Sequence, residues 1–464
     1  MAWMYDHLRG LIRFEVSEHV GLLRYLVKWV VLGGVAGVLA GVASAVFLVV
    51  LALATTTREG NPWLLALLPV GGFVVGLVYH YRGAGSAAGN NLILDQVQGV
   101  SVSQTTPPRA NRVPLRMAPL VLVGTVVTHL FGGSAGREGT GIQMASSLAD
   151  GWARLLRLKA SDRRILLIAS IAGGFGSVFG VPLAGTVFAL EVQRIGRLRY
   201  VALMPALTAA VIGDQVTQAL LGATGLPHAP TPTIGLDGIA VDGFLLGVVA
   251  GAGLAFGLAS ILFSELLYGI RRLYVTVIGW PPARPLVGGV IVAALAMLLG
   301  GEDHLGLSLP LIERAYAGDV LLSAFLLKII FTTLTVGAGF QGGEVTPLFV
   351  IGATLGGALA GLAGVPPELL AAVGLVAVFA GATNTPLACT IMGIELFGAD
   401  AGVYLAVGCV VSYVFSGDRG IYESQRLTET SRDANGDEET DADAKLGQHM
   451  ERRRPWLPNP VRRR

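Results

Sequence analysis

Gly136-Arg137-Glu138-Gly139-Thr140 is matched by Gly342-Gly343-Glu344-Val345-Thr346, 206 residues further along the chain, and each stretch carries a glutamate after a glycine-rich start. A second pair of stretches, residues 182–191 and 386–395, shares Pro, Leu, Ala, Thr and Glu at equivalent positions, 204 residues apart. Two matched blocks in the same order and at nearly the same spacing indicate an internal duplication. The residues alone leave open whether the two copies run parallel or inverted.

The composition is that of a membrane protein. Of the 464 residues, 53% are hydrophobic and only 14% are charged, whereas soluble domains average about 25% charged residues. The apolar run at 27–53 exceeds the roughly 20 residues that span a bilayer, whereas the run at 64–80 is shorter, and many runs end in Gly or Pro clusters. Broken helices at matching positions of two halves are typical of transporter binding sites. We therefore predict an all-α polytopic membrane protein with a transport domain at 27–422 and repeat halves at roughly 27–221 and 242–422.

The two ends of the chain differ from this domain. Residues 1–26 mix charged and apolar residues at helical spacing, which predicts an amphipathic surface helix. Residues 423–464 are polar and lack the apolar content to fold, which predicts a disordered tail. Basic residues before residue 27 predict a cytoplasmic N-terminus by the positive-inside rule, and we expect the tail to be cytoplasmic as well. The two cysteines, Cys389 and Cys409, lie in apolar segments, and no metal-ligand spacing or cofactor motif is present.

Three glycine-rich turns precede predicted helices, at 85–91, 136–140 and 342–346. The start of a helix presents unpaired N–H groups and the positive end of the helix dipole, and such ends bind anions. If the three turns converge inside the membrane, they form an anion site without a full positive charge. The alternative, that these glycines only permit close helix contact, stays open at this point.

Glu138 is the residue that carries the chemistry. An ionisable group inside a membrane is costly and is a functional candidate by default. An ionised carboxylate at an anion-binding helix end competes with the anion, and protonation vacates the site, so one group would couple anion movement to proton movement. The alternative is a structural cap. We interpret Glu191 and Glu395, which occupy equivalent positions, as structural, and His129 as a packed histidine.

These motifs resemble the CLC family of anion channels and anion/proton exchangers over about residues 27–422. The family's Gly-Arg-Glu-Gly-Pro turn is found here with Thr140 in place of Pro, and its Gly-Gly-x-Phe-x-Pro turn with Val345 in place of Phe. Its Gly-Ser-Gly-Ile-Pro turn corresponds to residues 89–92, so that Asn90 would stand where the family's serine coordinates chloride. The pore tyrosine of the family would be Tyr422.

Together these departures resemble the fluoride-exporting branch of the family, which consists of bacterial fluoride/proton antiporters. The resemblance implies about eighteen helices in two inverted-topology repeats, a homodimer with one pore per subunit, and Glu138 as the gating and proton-coupling residue. Chloride/proton exchangers carry a second, internal glutamate where this chain has Val192. The implied anion-binding residues are Asn90, Gly139, Thr140, Glu344, Val345, Thr346 and Tyr422, with Gly136, Arg137, Gly342 and Gly343 supporting the turns.

The substitutions have a physical reason. Fluoride is smaller than chloride and holds water more tightly, so a fluoride site must offer donors that replace hydration, and the Asn90 amide and the hydroxyls of Thr140 and Thr346 are such donors. We predict a secondary active antiporter in a bacterial or archaeal plasma (inner) membrane that exports fluoride in exchange for protons and so gives fluoride resistance. The alternative is a chloride or nitrate exchanger, or an anion channel, of the same fold. An intramembrane serine enzyme built on Ser134 and His129 is disfavoured, because no base is positioned by a recognisable motif.

Overall fold

The computed structural model of the chain describes residues 2–83, 85–99, 112–225, 232–236, 238–427, 445, 446, 448 and 450, with side chains from residue 19 onward. This part of the chain is all-α, as predicted, and holds sixteen α-helices and no β-strand. Their bounds are α1 (Ala2–Glu59), α2 (Leu68–Arg82), α3 (Gly89–Gln98), α4 (Met117–Leu130), α5 (Glu138–Leu155), α6 (Ala160–Phe179), α7 (Pro182–Glu191), α8 (Leu203–Gly222), α9 (Gly243–Val277), α10 (Ala283–Leu299), α11 (Leu309–Tyr316), α12 (Ser323–Gly337), α13 (Val345–Ala363), α14 (Pro367–Thr383), α15 (Pro386–Phe397) and α16 (Gly402–Ser416).

Helix lengths agree with a membrane protein built from whole and broken spans. Among the described residues, five helical stretches are long and apolar enough to cross a bilayer, and seven further apolar helices are shorter. The short ones require cover from protein at membrane depth, and α14 has it, because every residue from Leu369 to Thr383 is buried. The five long stretches are His19–Glu59, Pro62–Arg82, Tyr200–Gly222, Gly243–Val277 and Val345–Ala363.

The two halves are joined by reciprocal helix caps. The Glu191 carboxylate, at the end of α7, accepts backbone N–H bonds from the first turn of α15, 2.9 Å from the nitrogen of Ala388. The Glu395 carboxylate, at the end of α15, accepts bonds from the first turn of α7, 2.7 Å from the nitrogen of Ala184. Each glutamate satisfies donors that a helix start otherwise leaves unpaired. These contacts agree with the structural role that the sequence predicted for both residues. Each half of the chain supplies a glutamate that caps a helix of the other half.

The predictions for the two ends of the chain concern residues that the structure describes only in part. The backbone of α1 continues without a break through the boundary predicted at residue 26, and the side chains of residues 1–18 lie outside the described part. Near the other end, Leu446 and Met450 are buried against Leu427, and the Lys445 ammonium lies 2.7 Å from the Asp95 carboxylate of α3. These described residues of the predicted tail thus lie against the rest of the chain, and the disorder of residues 423–464 as a whole stays a prediction.

Candidate functional site

The two glutamate turns lie against each other. The Gly136 amide donates to the Gly343 carbonyl at 2.6 Å, and the Gly343 amide donates to the Gly136 carbonyl at 2.7 Å. A side chain at either turn would prevent this approach: a Cβ on Gly343 would lie 2.9 Å from the Gly139 nitrogen. Gly342 also has a φ of +151°, a conformation that favours glycine. The turns are therefore joined back to back where α5 and α13 begin.

Glu138 is fully buried at this junction. One carboxylate oxygen accepts the Thr346 hydroxyl, and the other lies 3.1 Å from the amide nitrogens of Thr346 and of Arg137. Thr346 is the second residue of α13, so the carboxylate lies on the N-terminus of that helix, where orphan N–H groups and the helix dipole favour negative charge. The carboxylate oxygens thus occupy the kind of position that a bound anion would take.

Arg137 holds the turn in place. Its guanidinium is buried, with Nε 3.5 Å from Glu138 Oε1 and Cζ 5.9 Å from the centre of the Phe179 ring. The side chain pairs with the glutamate from one side while the aromatic ring covers it from another. Arg137 therefore has the neighbours expected of a supporting residue.

A cavity of about 120 Å³ lies beside this junction and brings together four residues that the sequence singled out. Its lining includes Asn90, Gly342, Glu344 and Tyr422. The Asn90 amide nitrogen reaches the start of α5, since a Cβ on Gly139 would lie 3.1 Å from it. The sequence assigned Asn90 to the site through a single matching glycine. In the structure, the Asn90 side-chain amide lies next to the Glu138 turn.

Four polar atoms of this lining are buried without a hydrogen-bond partner among the described residues. They are the hydroxyls of Tyr422 and Ser264 and the side-chain oxygens of Asn90 and Gln143. A buried O–H donor with no acceptor is costly, and a small anion that accepts hydrogen bonds fits the Tyr422 donor. The chemistry of the cavity therefore suits an anion such as a halide.

Thr140 and Val345 do not line the cavity. The Thr140 hydroxyl lies 2.7 Å from the Thr125 hydroxyl of α4 and is fully buried there. Val345 is buried at the first position of α13. Either hydroxyl can be the donor of this bond, so the role of the Thr140 side chain as an anion donor stays a prediction.

The structure adds cavity residues that the sequence reading missed. Gln143 lies one turn after Gly139 on the same face of α5, so helical periodicity would have found it. Arg271 comes from α9, with its guanidinium 3.7 Å from the Glu423 carboxylate, and nothing in its local sequence marks it.

Ser134 and His129 do not form a catalytic pair. The ring nitrogens of His129 lie 2.8 and 3.1 Å from the backbone oxygens of Thr125 and Ala135. The Ser134 hydroxyl instead lies 3.0 Å from the Lys328 ammonium. Lys328 contacts three further oxygens, so its N–H groups are already engaged and it is not a free base.

The chain is similar to known proteins both in sequence and in structure. The sequence model of the voltage gated chloride channel family matches residues 71–417. A chloride/fluoride channel protein of Pseudomonas syringae pv. tomato is 45% identical over 421 residues, which cover 89% of this chain and 90% of that protein. The crystal structure of a CLC-type fluoride/proton antiporter superposes with a TM-score of 0.79 at 33% identity, covering 87% of this chain and 98% of the other. The structure of a slow cyanobacterial Cl⁻/H⁺ antiporter has a TM-score of 0.69 at 21% identity, covering 85% and 94%, and supports the fold alone.

Proposed function

This chain belongs to the CLC family of voltage gated chloride channels, whose members are membrane channels and transporters and not enzymes, and we propose that it is a secondary active antiporter exporting fluoride in exchange for protons. Such a protein would give its host resistance to fluoride. The membrane location and the CLC fold follow from the family, whereas the anion and the coupling are the proposal.

The observation that carries the proposal is the position of the Glu138 carboxylate. It accepts the amide and hydroxyl of Thr346 at the N-terminus of α13, which are donors that an anion would use. Ionised, Glu138 occupies these donors and excludes the anion. Protonated, the neutral acid loses its charge interaction with the helix end, and a fluoride ion replaces it.

Coupling follows from this competition. The proton binds at a Glu138 carboxylate oxygen, and the anion binds at the donors that this oxygen leaves. Anion and charged carboxylate exclude each other at one site, so turnover requires a proton to be taken up and released for the anion to pass. Glu138 is thus proposed as the gate and the proton carrier in one residue.

Fluoride is the proposed anion because the site offers strong hydrogen-bond donors. Besides the Thr346 donors, the cavity contains the Asn90 amide and the unpartnered Tyr422 hydroxyl. Fluoride gains more than chloride from such donors, since removing its tightly held water requires strong replacements. Glu344, on the cavity wall, is proposed to line the fluoride or proton route. The names of the Pseudomonas relative and of the 33% identical antiporter also support fluoride.

The second candidate is a chloride or nitrate exchanger, or a channel, of the same fold. It is favoured by the name of the Pseudomonas relative, which includes chloride and the word channel. A channel would show no proton coupling and a much larger ion flux.

We further propose a homodimer with one pore per subunit in a bacterial or archaeal inner membrane, with both termini cytoplasmic. The family resemblance supports the dimer. The basic residues that precede the first long apolar run support the orientation.

Efflux from proteoliposomes tests the assignment. Vesicles loaded with fluoride or with chloride are diluted into anion-free buffer at lower pH, and each anion is followed with an ion-selective electrode. We expect fluoride efflux that the proton gradient accelerates and chloride efflux that is much slower. Faster chloride efflux would favour the exchanger alternative, and efflux of either anion that ignores the proton gradient would favour a channel.

A further inference from the structure

Lys328 has its side chain in the interior of the molecule. It lies in the middle of α12, and its side chain is 0% exposed. Its Nζ atom contacts four neutral oxygens, and none of its contacts in the described part of the chain is a carboxylate. The four are the hydroxyls of Ser134 (3.0 Å) and Ser308 (2.8 Å) and the carbonyls of Gly306 (3.0 Å) and His304 (3.2 Å). A buried, uncompensated charge costs stability, which makes it a functional candidate in a membrane protein.

The charge lies beside the turn that leads to Glu138. Ser134, which contacts the ammonium, precedes Glu138 by four residues, a reach of at most about 14 Å. The backbone nitrogen of Ser134 also donates to the Thr335 hydroxyl at 3.3 Å, so α12 holds this turn at two points.

A second cavity, of about 290 Å³, lies near Lys328. Ser308 belongs to its lining, together with Arg58, Leu65 and Leu305. The cavity adjoins the same turn, since a Cβ on Gly132 would lie 3.2 to 3.6 Å from atoms of those last three residues.

The second cavity and the Asn90 cavity both lie near the start of α5. Trp29, early in α1, packs with Ala153 near the end of α5, whereas Arg58, late in α1, lies beside the turn before α5 begins. The second cavity is therefore at the Glu138 end of α5. Gln143, one turn into α5, lines the Asn90 cavity.

We propose that Lys328 is a fixed positive charge of the transport pathway, which stabilises the anion while it passes between the Glu138 site and the second cavity. It acts through the field of its ammonium, held in place by the two serines, and does not contact the anion. At an effective dielectric constant of about 20, a unit charge changes the occupancy of an anion by about tenfold when the two are about 12 Å apart. The inference rests on the proposed function for the identity of the anion, but the field acts on any halide.

A structural role for Lys328 makes a different prediction. If the lysine only ties residues 304–308 to the turn, its loss would disturb the position of Glu138 and nothing else. Removing the Glu138 side chain would then remove the effect of the Lys328 substitution on anion flux. If the charge stabilises the anion, the effect persists without Glu138.

The test compares Lys328→Met and Lys328→Arg, each with Glu138 intact and in a Glu138→Ala background, as fluoride and chloride flux from proteoliposomes. We expect Lys328→Met to lower anion flux about tenfold in both backgrounds and Lys328→Arg, which keeps the charge, to stay within about threefold of its parent. Thr333→Val, which removes a buried hydroxyl from the same helix, is the matched control and should leave flux unchanged.

Equal flux in Glu138→Ala and in Glu138→Ala with Lys328→Met would overturn the inference, as would a loss in Lys328→Arg as large as in Lys328→Met. If Lys328→Met does not fold, Lys328→Gln removes the charge while keeping polar contacts and gives the same comparison. Failure of the proposed function is distinguishable, since a wild-type protein that moves chloride and no fluoride still reports the effect of Lys328 on chloride flux.

Discussion

Replacing Thr346 by valine distinguishes the two groups that we propose compete for the start of α13, a fluoride ion and the Glu138 carboxylate. The change keeps the side-chain shape and removes the hydroxyl that donates to Glu138, while the Thr346 amide, 3.1 Å from the other carboxylate oxygen, remains. A hydrogen bond to a charged group contributes about 1.5 to 3 kcal/mol, which corresponds to about 10- to 100-fold in binding. In a Glu138→Ala background we therefore expect the fluoride dissociation constant to rise by about 10- to 100-fold. With Glu138 present the rise should be much smaller, because the lost hydroxyl also held the competing carboxylate.

Isothermal titration of purified protein with fluoride measures both backgrounds directly. Thr354→Val is the matched control, since that buried hydroxyl of α13 donates to the Val350 carbonyl at 2.7 Å, away from the site. Unchanged fluoride affinity after Thr346→Val in the Glu138→Ala background would refute the reasoning, because the hydroxyl would then not contact the anion.

Three further changes test other parts of the account. Glu138→Gln removes the acid that carries the proton, so proton-driven fluoride efflux should stop, and efflux that persists on a fluoride electrode would assign the gate elsewhere. Asn90→Ser removes the amide donors, so the fluoride-over-chloride flux ratio in liposomes should fall about tenfold, and an unchanged ratio would exclude Asn90 from selectivity. Gly342→Ala forces a side chain into a φ of +151° and within 2.5 Å of a neighbouring Cβ, so thermal unfolding should show a loss of about 1 to 3 kcal/mol, and an unchanged midpoint would contradict this geometry.

The repeat and its turns could be predicted from the sequence because they depend on local rules. Glycine-rich turns with a glutamate predicted helix starts, and α5 and α13 begin at Glu138 and Val345. The structural role favoured for Glu191 and Glu395 also agrees with their contacts, since each caps a helix of the other half. In these cases the residue type and its position on the helix determine what the side chain can do.

What the sequence could not supply depends on neighbours far along the chain. The Thr140 hydroxyl faces α4, which no local pattern indicates. Lys328 lies within an apolar run, and the average hydropathy of that run hides a single lysine. Its contact with Ser134, 194 residues away, is visible only in the folded structure. The burial of Leu446 likewise requires the surface formed by Leu427 and its neighbours. Tertiary contacts, rather than propensity, decide each of these.

Uphill fluoride movement is the most direct test of the central claim. Wild-type proteoliposomes are prepared with equal fluoride inside and outside, and a proton gradient is then imposed while fluoride is followed with an electrode. An antiporter must move fluoride against its own gradient, toward the compartment of lower pH, and removing the proton gradient must reverse that movement. No net fluoride movement under the gradient, in protein that does conduct fluoride down a fluoride gradient, would contradict coupled exchange and establish a channel.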